Sequence, residues 1–273
     1  MPIARPEHFT DSFRLLQQEG SLVHSCLCAG FTTLRSADPG RKGTYYSAFF
    51  QLSIGIERLM KLVFIIERMA SSNLVPPPRS SLKELGHNLT STWQNLRELR
   101  PEIPELEAGS IESELLTFLS DFARSTRYFN LDALSRGTSA TDPLASYNTL
   151  FVRVLQEDVR PQRLQRTVDV AESLARLTDG FVGIVGHGLH GQLISQQEAF
   201  MLGPLHDIGS PHVIWHMYQL LHPIRHALEA ASESAHRTNH RILGSQQAIP
   251  FMEEFVSFLS YEKSMVLRKK RWP

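Results

Sequence analysis

Tyr45-Tyr-Ser-Ala-Phe-Phe-Gln-Leu-Ser-Ile-Gly-Ile-Glu-Arg-Leu-Met-Lys-Leu-Val-Phe-Ile-Ile-Glu-Arg-Met69 is the most apolar stretch of this chain, and its reading decides the fold class. Glu57 and Lys61 sit four residues apart in its middle. On a helix they lie one turn apart on one face, acid before base, which is the favourable order. Glu57, Arg58, Lys61, Glu67 and Arg68 come too often for the roughly 18 apolar residues of a membrane span. The stretch therefore reads as the central helix of a bundle with one internal ion pair.

The composition around it is that of an ordinary globular chain. The 273 residues are 42% hydrophobic and 21% charged, with a net charge of zero, enough for one large or two small domains with ample core. Zero net charge argues against a partner held electrostatically over the whole surface, so nucleic-acid contacts would need locally clustered cations. The opening Met1-Pro-Ile-Ala-Arg-Pro6 lacks the apolar core of a secretory signal. Cys26 and Cys28, two apart on a helix, point to different faces and neither bridge nor make a metal site alone. A reduced cytoplasmic protein without cofactor is the simplest expectation.

Working outward, residues 7–34 carry apolar positions at spacings of three and four, an amphipathic helix with Gly20 as a candidate interruption. Ser36-Ala-Asp-Pro-Gly40 is a turn, and Pro76-Pro-Pro78 stops the central helix. Lys83–Leu99 reads as a third helix with His87 in its first turns. Ser110 is the expected cap of a fourth, with Glu112 and Glu114 in the first turn, where the helix dipole favours acids. Ser135–Asp142 is a polar loop and the expected boundary between residues 1–136 and 143–273. The second half reads as helices over Leu144–Gln156, Leu164–Leu177, Pro211–Asn239 (bent near Pro223) and Pro250–Leu267. The glycine-rich Gly180–Gly191 stretch is left unassigned. With no sustained alternating run, the chain is expected to be all-α.

Three pieces in order carry a family likeness: Tyr45–Phe49 with Gly55-Ile-Glu57-Arg-Leu-Met-Lys61, then Leu85-Gly-His87-Asn-Leu89, then Ala123-Arg-Ser-Thr-Arg127-Tyr-Phe-Asn130. Their order resembles the HEPN superfamily, helical bundles of prokaryotic defence, toxin–antitoxin and RNA-processing systems, over about half of the chain. The resemblance implies a HEPN-like N-terminal bundle with a C-terminal helical extension, a homodimer or a partner from the same operon, and a site that cleaves RNA or is modified by a nucleotide. Active members carry an Arg followed after four to six residues by a His. No Arg here has a His at that spacing, and Arg79 with His87 is one residue too long. The resemblance is therefore to a member whose catalysis is in question, RNA binding remaining.

A metal-independent site of this kind needs a cation for the phosphate and an imidazole or other polar group to move a proton. His87 and Arg127, oriented by Glu57 and Lys61, are the candidates. The alternative is that these four form a paired polar network that sets helix register.

Nine of the twelve histidines fall between His187 and His240. His212/His216, His222/His226 and His236/His240 are i, i+4 pairs, able to offer two imidazoles to one metal from a helix face. His222, His226, Glu229 and Glu233 lead a polar stripe that a facing helix could complete as a metal site, though it reads equally as a solvated face. The His206-Asp207 dipeptide lacks the later Asp that a metal phosphohydrolase needs, and reads as coincidence. Arg268-Lys-Lys-Arg-Trp272 is the one basic run: its cations can contact phosphates and Trp272 can stack on a base, or the run is a frayed end. Besides an RNA-directed protein, the sequence leaves open a helical scaffold docking a protein partner or a second copy, and a metal-dependent enzyme using the stripe.

Overall fold

A computed structural model describes residues 8–135, 141–177 and 186–273 of the chain. Eleven α-helices account for almost all of the described regular structure, so the protein is an all-α bundle. α1 (Asp11–Arg35) and α2 (Gly43–Ser71) form a hairpin across the 36–42 turn, and α1 runs unbroken through Gly20. α3 (Arg79–Leu85), α4 (Leu89–Leu99), α5 (Ile111–Arg124) and α6 (Phe129–Leu134) complete the first half. α7 (Pro143–Asp158), α8 (Pro161–Leu177), α9 (Gln196–Leu243), α10 (Glu253–Val256) and α11 (Lys263–Arg268) form the second.

α2 is the hub because its apolar residues run around most of its circumference. Tyr45, Phe49, Leu52, Ile56, Leu59, Met60, Val63 and Ile66 are all essentially inaccessible to solvent. Each large apolar side chain buried contributes about 1.5–3 kcal/mol, which drives helices onto every side of α2. α1, α4, α5 and α9 are its neighbours. The α1 contact is close: a Cβ added at Gly55 would lie 2.8 Å from Leu27, so only glycine lets the two helices approach this far.

The two halves share one core. A single cluster of buried apolar residues extends from Leu16 on α1 to Trp272 at the C-terminal end, and α9 packs on α1, α2 and α5 as well as on its own half. The boundary expected at Ser135–Asp142 thus separates stretches of sequence whose described side chains pack together.

Several elements depart from the sequence reading. The third helix splits because Gly86 has φ +57° and ψ −145°, which ends α3, and Asn88 starts α4 afresh by accepting the Ser91 N–H at 3.0 Å. Ser110 caps α5 as expected, accepting the Ser113 N–H at 3.2 Å. α9 is far longer than the expected Pro211–Asn239 helix. It starts at a capping box, Ser195 with Glu198, and passes through Pro204, Pro211 and Pro223. Proline costs a helix interior about 3 kcal/mol. Burial of Val213, Ile214, Met217, Tyr218, Leu221, Ile224 and Leu228 along the same helix outweighs it. In the unassigned stretch, Gly186–His187 (β1) pairs antiparallel with Leu193–Ile194 (β2), while residues 180–185 lie outside the described ones. The closing segment is three short turns of helix, not one helix.

The chain end is docked, not frayed. The Trp272 ring is 7% exposed and lies 5.5 Å from the Phe31 ring; its Nε1–H donates to Tyr218 Oη at 2.6 Å, and its backbone N–H donates to Thr32 Oγ1 at 2.9 Å. Trp272→Ala is expected to lower unfolding free energy by about 3–5 kcal/mol, as for other buried aromatic truncations. Urea denaturation measures this; an unchanged midpoint would contradict a docked C-terminus.

Candidate functional site

α2 presents Glu57 and Lys61 at the edge of the core, where their side chains are 16% and 21% exposed. Charges so far from bulk water must be paired, and they are. Lys61 Nζ donates to Glu57 Oε1 at 2.7 Å and to the Gly86 carbonyl at 2.8 Å. The glycine that ends α3 therefore hands its carbonyl to the ammonium on α2. The next residue, His87, places Nδ1 3.0–3.1 Å from both Glu57 oxygens. A carboxylate only accepts hydrogen bonds, so Nδ1 carries a proton and Nε2 is the ring nitrogen left for a further partner. The turn beneath is held by Asn88 Oδ1, which accepts from Ser120 Oγ at 3.1 Å, while Ser120 Oγ accepts the Leu89 N–H at 3.0 Å.

This ladder lines a groove of about 930 Å³. Leu15, Ile54 and Leu82 give the groove an apolar lining, and Arg58, Lys61, Arg79, Lys83 and Arg127 set five cations against the carboxylates of Glu19 and Glu57. Arg58 pairs with Glu19 and Lys61 with Glu57. Arg79, Lys83 and Arg127 have no carboxylate partner among the described residues. Arg127 is half-buried, with its guanidinium 4.9 Å from the Tyr128 ring and its Nε buried without a hydrogen bond. The four sequence candidates thus line one groove, but Arg127 is not hydrogen-bonded into the Glu57–Lys61–His87 ladder. It comes from the turn after α5 and remains a separate cation.

The other sequence candidates fare differently. In the C-terminal run, Arg268, Lys270 and Arg271 are exposed and Lys269 Nζ lies over the Tyr261 ring at 4.7 Å. The buried Trp272 ring is not free to stack on a base. Along the α9 stripe, Glu229 pairs with Arg225 and with His226 Nδ1, whereas Glu233 is 3.9 Å from Arg237. His222, His226, Glu229 and Glu233 therefore do not gather into one ligand set. Among the described residues no three His, Cys, Asp or Glu side chains are arranged to hold a metal ion. His206 is a core residue: Nε2–H donates to the Leu34 carbonyl and Nδ1 accepts from Tyr45 Oη, each at 3.0 Å. Burial pushes its pKa down to about 4, while Asp207 is exposed beside Arg35. No helix among the described residues is long and apolar enough to cross a membrane.

One cluster has no sequence signal. His216 on α9 reaches Glu112 Oε1 on α5 through Nδ1 at 2.6 Å, and Asp158 Oδ2 at the end of α7 through Nε2 at 2.7 Å. Its partners are 104 and 58 residues away, so no spacing rule could have paired them. Both acceptors are carboxylates, so both ring nitrogens donate and the ring is an imidazolium. Burial alone disfavours that charge, but the hydrogen bonds His216 donates to Glu112 and Asp158 outweigh it and raise the pKa above 6.5. The same bond to His216 holds Glu112 below its usual 4.5 against the opposing effect of burial.

No protein-family model, curated protein or solved structure matches this chain.

The His216 cluster fixes a pH window. A raised histidine pKa contributes stability that is complete below 6.5 and is lost as pH rises through the folded-state value. A lowered Glu112 pKa contributes stability that is complete above 4.5 and is lost as pH falls through its folded-state value. Stability should therefore be greatest between the two and decline on both sides. His216→Gln leaves two half-buried carboxylates facing each other, with Lys263 the remaining cation near Asp158, and should lower stability near neutrality. It should also flatten the alkaline limb of a urea-midpoint profile; a variant with the wild-type profile would remove His216 from the account.

Proposed function

We propose that the protein is a HEPN-like component of a prokaryotic defence or toxin–antitoxin-type system and that its α1–α2–α3 groove binds single-stranded RNA. The observation that carries this reading is Arg127: a half-buried guanidinium without a counter-charge, lining the same groove as unpaired Arg79 and Lys83. Cations kept free of carboxylates suit a polyanion, and the apolar lining suits unstacked bases. The order of the three sequence pieces that resemble the HEPN superfamily supports the same reading.

The ladder beside those cations supplies a chemical step. Glu57 accepts from His87 Nδ1–H, which leaves Nε2 as the nitrogen to take the proton from a ribose 2′-hydroxyl as its oxygen attacks the adjacent phosphorus. The 5′-oxygen then leaves and takes a proton from solvent, while Arg127, Arg79 and Lys83 balance charge on the phosphate oxygens. The family's Arg/His spacing is absent, so catalysis in this chain rests on His87 alone as base.

Fluorescence anisotropy with a labelled single-stranded RNA over a salt series tests the binding. Arg127→Ala, Arg79→Ala and Lys83→Ala should each weaken binding, and each lost phosphate contact should reduce the log–log salt slope by about 0.7. RNA affinity that survives the triple substitution would sink the groove as the site. Cleavage is followed on gels in the presence of a chelator. His87→Ala should reduce it about 10²–10⁴-fold; intact RNA with the wild-type protein would leave binding as the function.

A second reading is favoured by apolar exposure in and beside the groove. Leu15, Phe50 and Ile54 are 64%, 37% and 41% exposed, and α6 has no buried residue while Leu131 and Leu134 face solvent. This face suits a second copy of the chain, the dimer that the resemblance implies. Mass measurement in solution should give a dimer that Ile54→Glu converts to monomer; a wild-type monomer at all concentrations would end this reading.

A further inference from the structure

All three i, i+4 histidine pairs lie on α9, and the fold treats them differently. His216 has both ring nitrogens committed to Glu112 and Asp158. His236 lies against the Phe251 ring, centroids 4.9 Å apart, with its Nε2 buried. Only His222 and His226 bring ring nitrogens together at the surface, with their Nε2 atoms 3.3 Å apart. Two imidazole nitrogens bound at about 2.0–2.1 Å to one tetrahedral ion are separated by about 3.3 Å.

The surroundings of the pair point the same way. His226 Nδ1 is 3.1 Å from Glu229 Oε2, and since the carboxylate can only accept, the proton sits on Nδ1 and the lone pair on Nε2. Arg225 on the next turn anchors Glu229. A carboxylate that orients the imidazole from behind is the usual outer partner of a metal-bound histidine. In the ion-free chain the remaining Nε2–H belongs to His222 and donates to His226. The rings meet edge to face, centroids 4.4 Å apart, and both side chains are exposed, so rotation about Cβ–Cγ turns both lone pairs toward one ion. Imidazole donors select borderline ions such as zinc, nickel or copper over magnesium or calcium.

The location gives such an ion a mechanical role. Pro223 lies between the two histidines, and without an N–H it leaves the Gln219 carbonyl without its helical donor. We propose that His222 and His226 form a surface site for a borderline divalent transition-metal ion, which clamps α9 across its Pro223 break. Ion binding replaces the proton shared between the rings, and His222 changes to the Nδ1–H tautomer. No third His, Cys, Asp or Glu among the described residues joins the set, so water completes the coordination. The site is independent of the α2 groove and of RNA.

Titration of the full-length protein with zinc chloride by calorimetry tests the proposal. One saturable site at neutral pH is expected, lost in His222→Gln and in His226→Gln, unchanged in His236→Gln, and about tenfold weaker in Glu229→Gln. Zinc should raise the melting temperature and slow amide exchange next to Pro223 in the wild type, but not in His222→Gln or His226→Gln. Nitrogen-15 spectra should show the His222 tautomer change. Circular dichroism establishes that each variant is folded. No zinc binding, or binding unchanged in both histidine variants, would overturn the site. Binding at the pair without slower exchange next to Pro223 would overturn the clamp.

Discussion

The close packing of α1 against α2 at Gly55 is the constraint on which the rest of the bundle depends. α2 is apolar on too many sides to lie on a surface, and one neighbour cannot cover it. With α1 drawn in at the glycine contact, α4, α5 and α9 take the remaining faces. The cover comes from both halves of the chain, so the core is continuous from Leu16 to Trp272.

Burying α2 also dictates its polar chemistry. Glu57 and Lys61 lie where the helix leaves the core, and the cost of removing two charges from water is offset only if each is fully bonded. The Gly86 carbonyl and His87 supply the missing partners, and they are within reach because Gly86 breaks the helix that sequence periodicity would have continued. The same bonds that satisfy the ion pair orient His87 toward acid–base chemistry, so the structural and the chemical reading of these residues are not alternatives. Arg127 is different. Nothing in the fold neutralises it, and for that reason it carries the functional proposal.

α9 solves a related problem over a greater length. It packs against seven other helices while carrying most of the histidines and three prolines. Where it meets α5 and α7 it needs a charged residue between two carboxylates, and His216 supplies it. At Pro223 the helix loses a hydrogen bond on an exposed face, beside the one histidine pair whose ring nitrogens are free to meet.

The all-α class, the hub role of α2, the Glu57–Lys61 pair and the Ser110 cap were legible in the sequence, because each rests on interactions within a few residues: periodicity, i, i+4 spacing and local capping. The limits of α9 were not legible, since local rules end helices at prolines and only burial along the whole helix overrides them. The docking of Trp272, the His216 cluster and the lack of a partner at Arg127 were out of reach for another reason. Each depends on which distant side chains arrive, or fail to arrive, within about 3 Å, the range of a hydrogen bond. Spacing along the chain carries no such information. Tertiary packing decided which of the candidate charges and imidazoles are neutralised and which remain available.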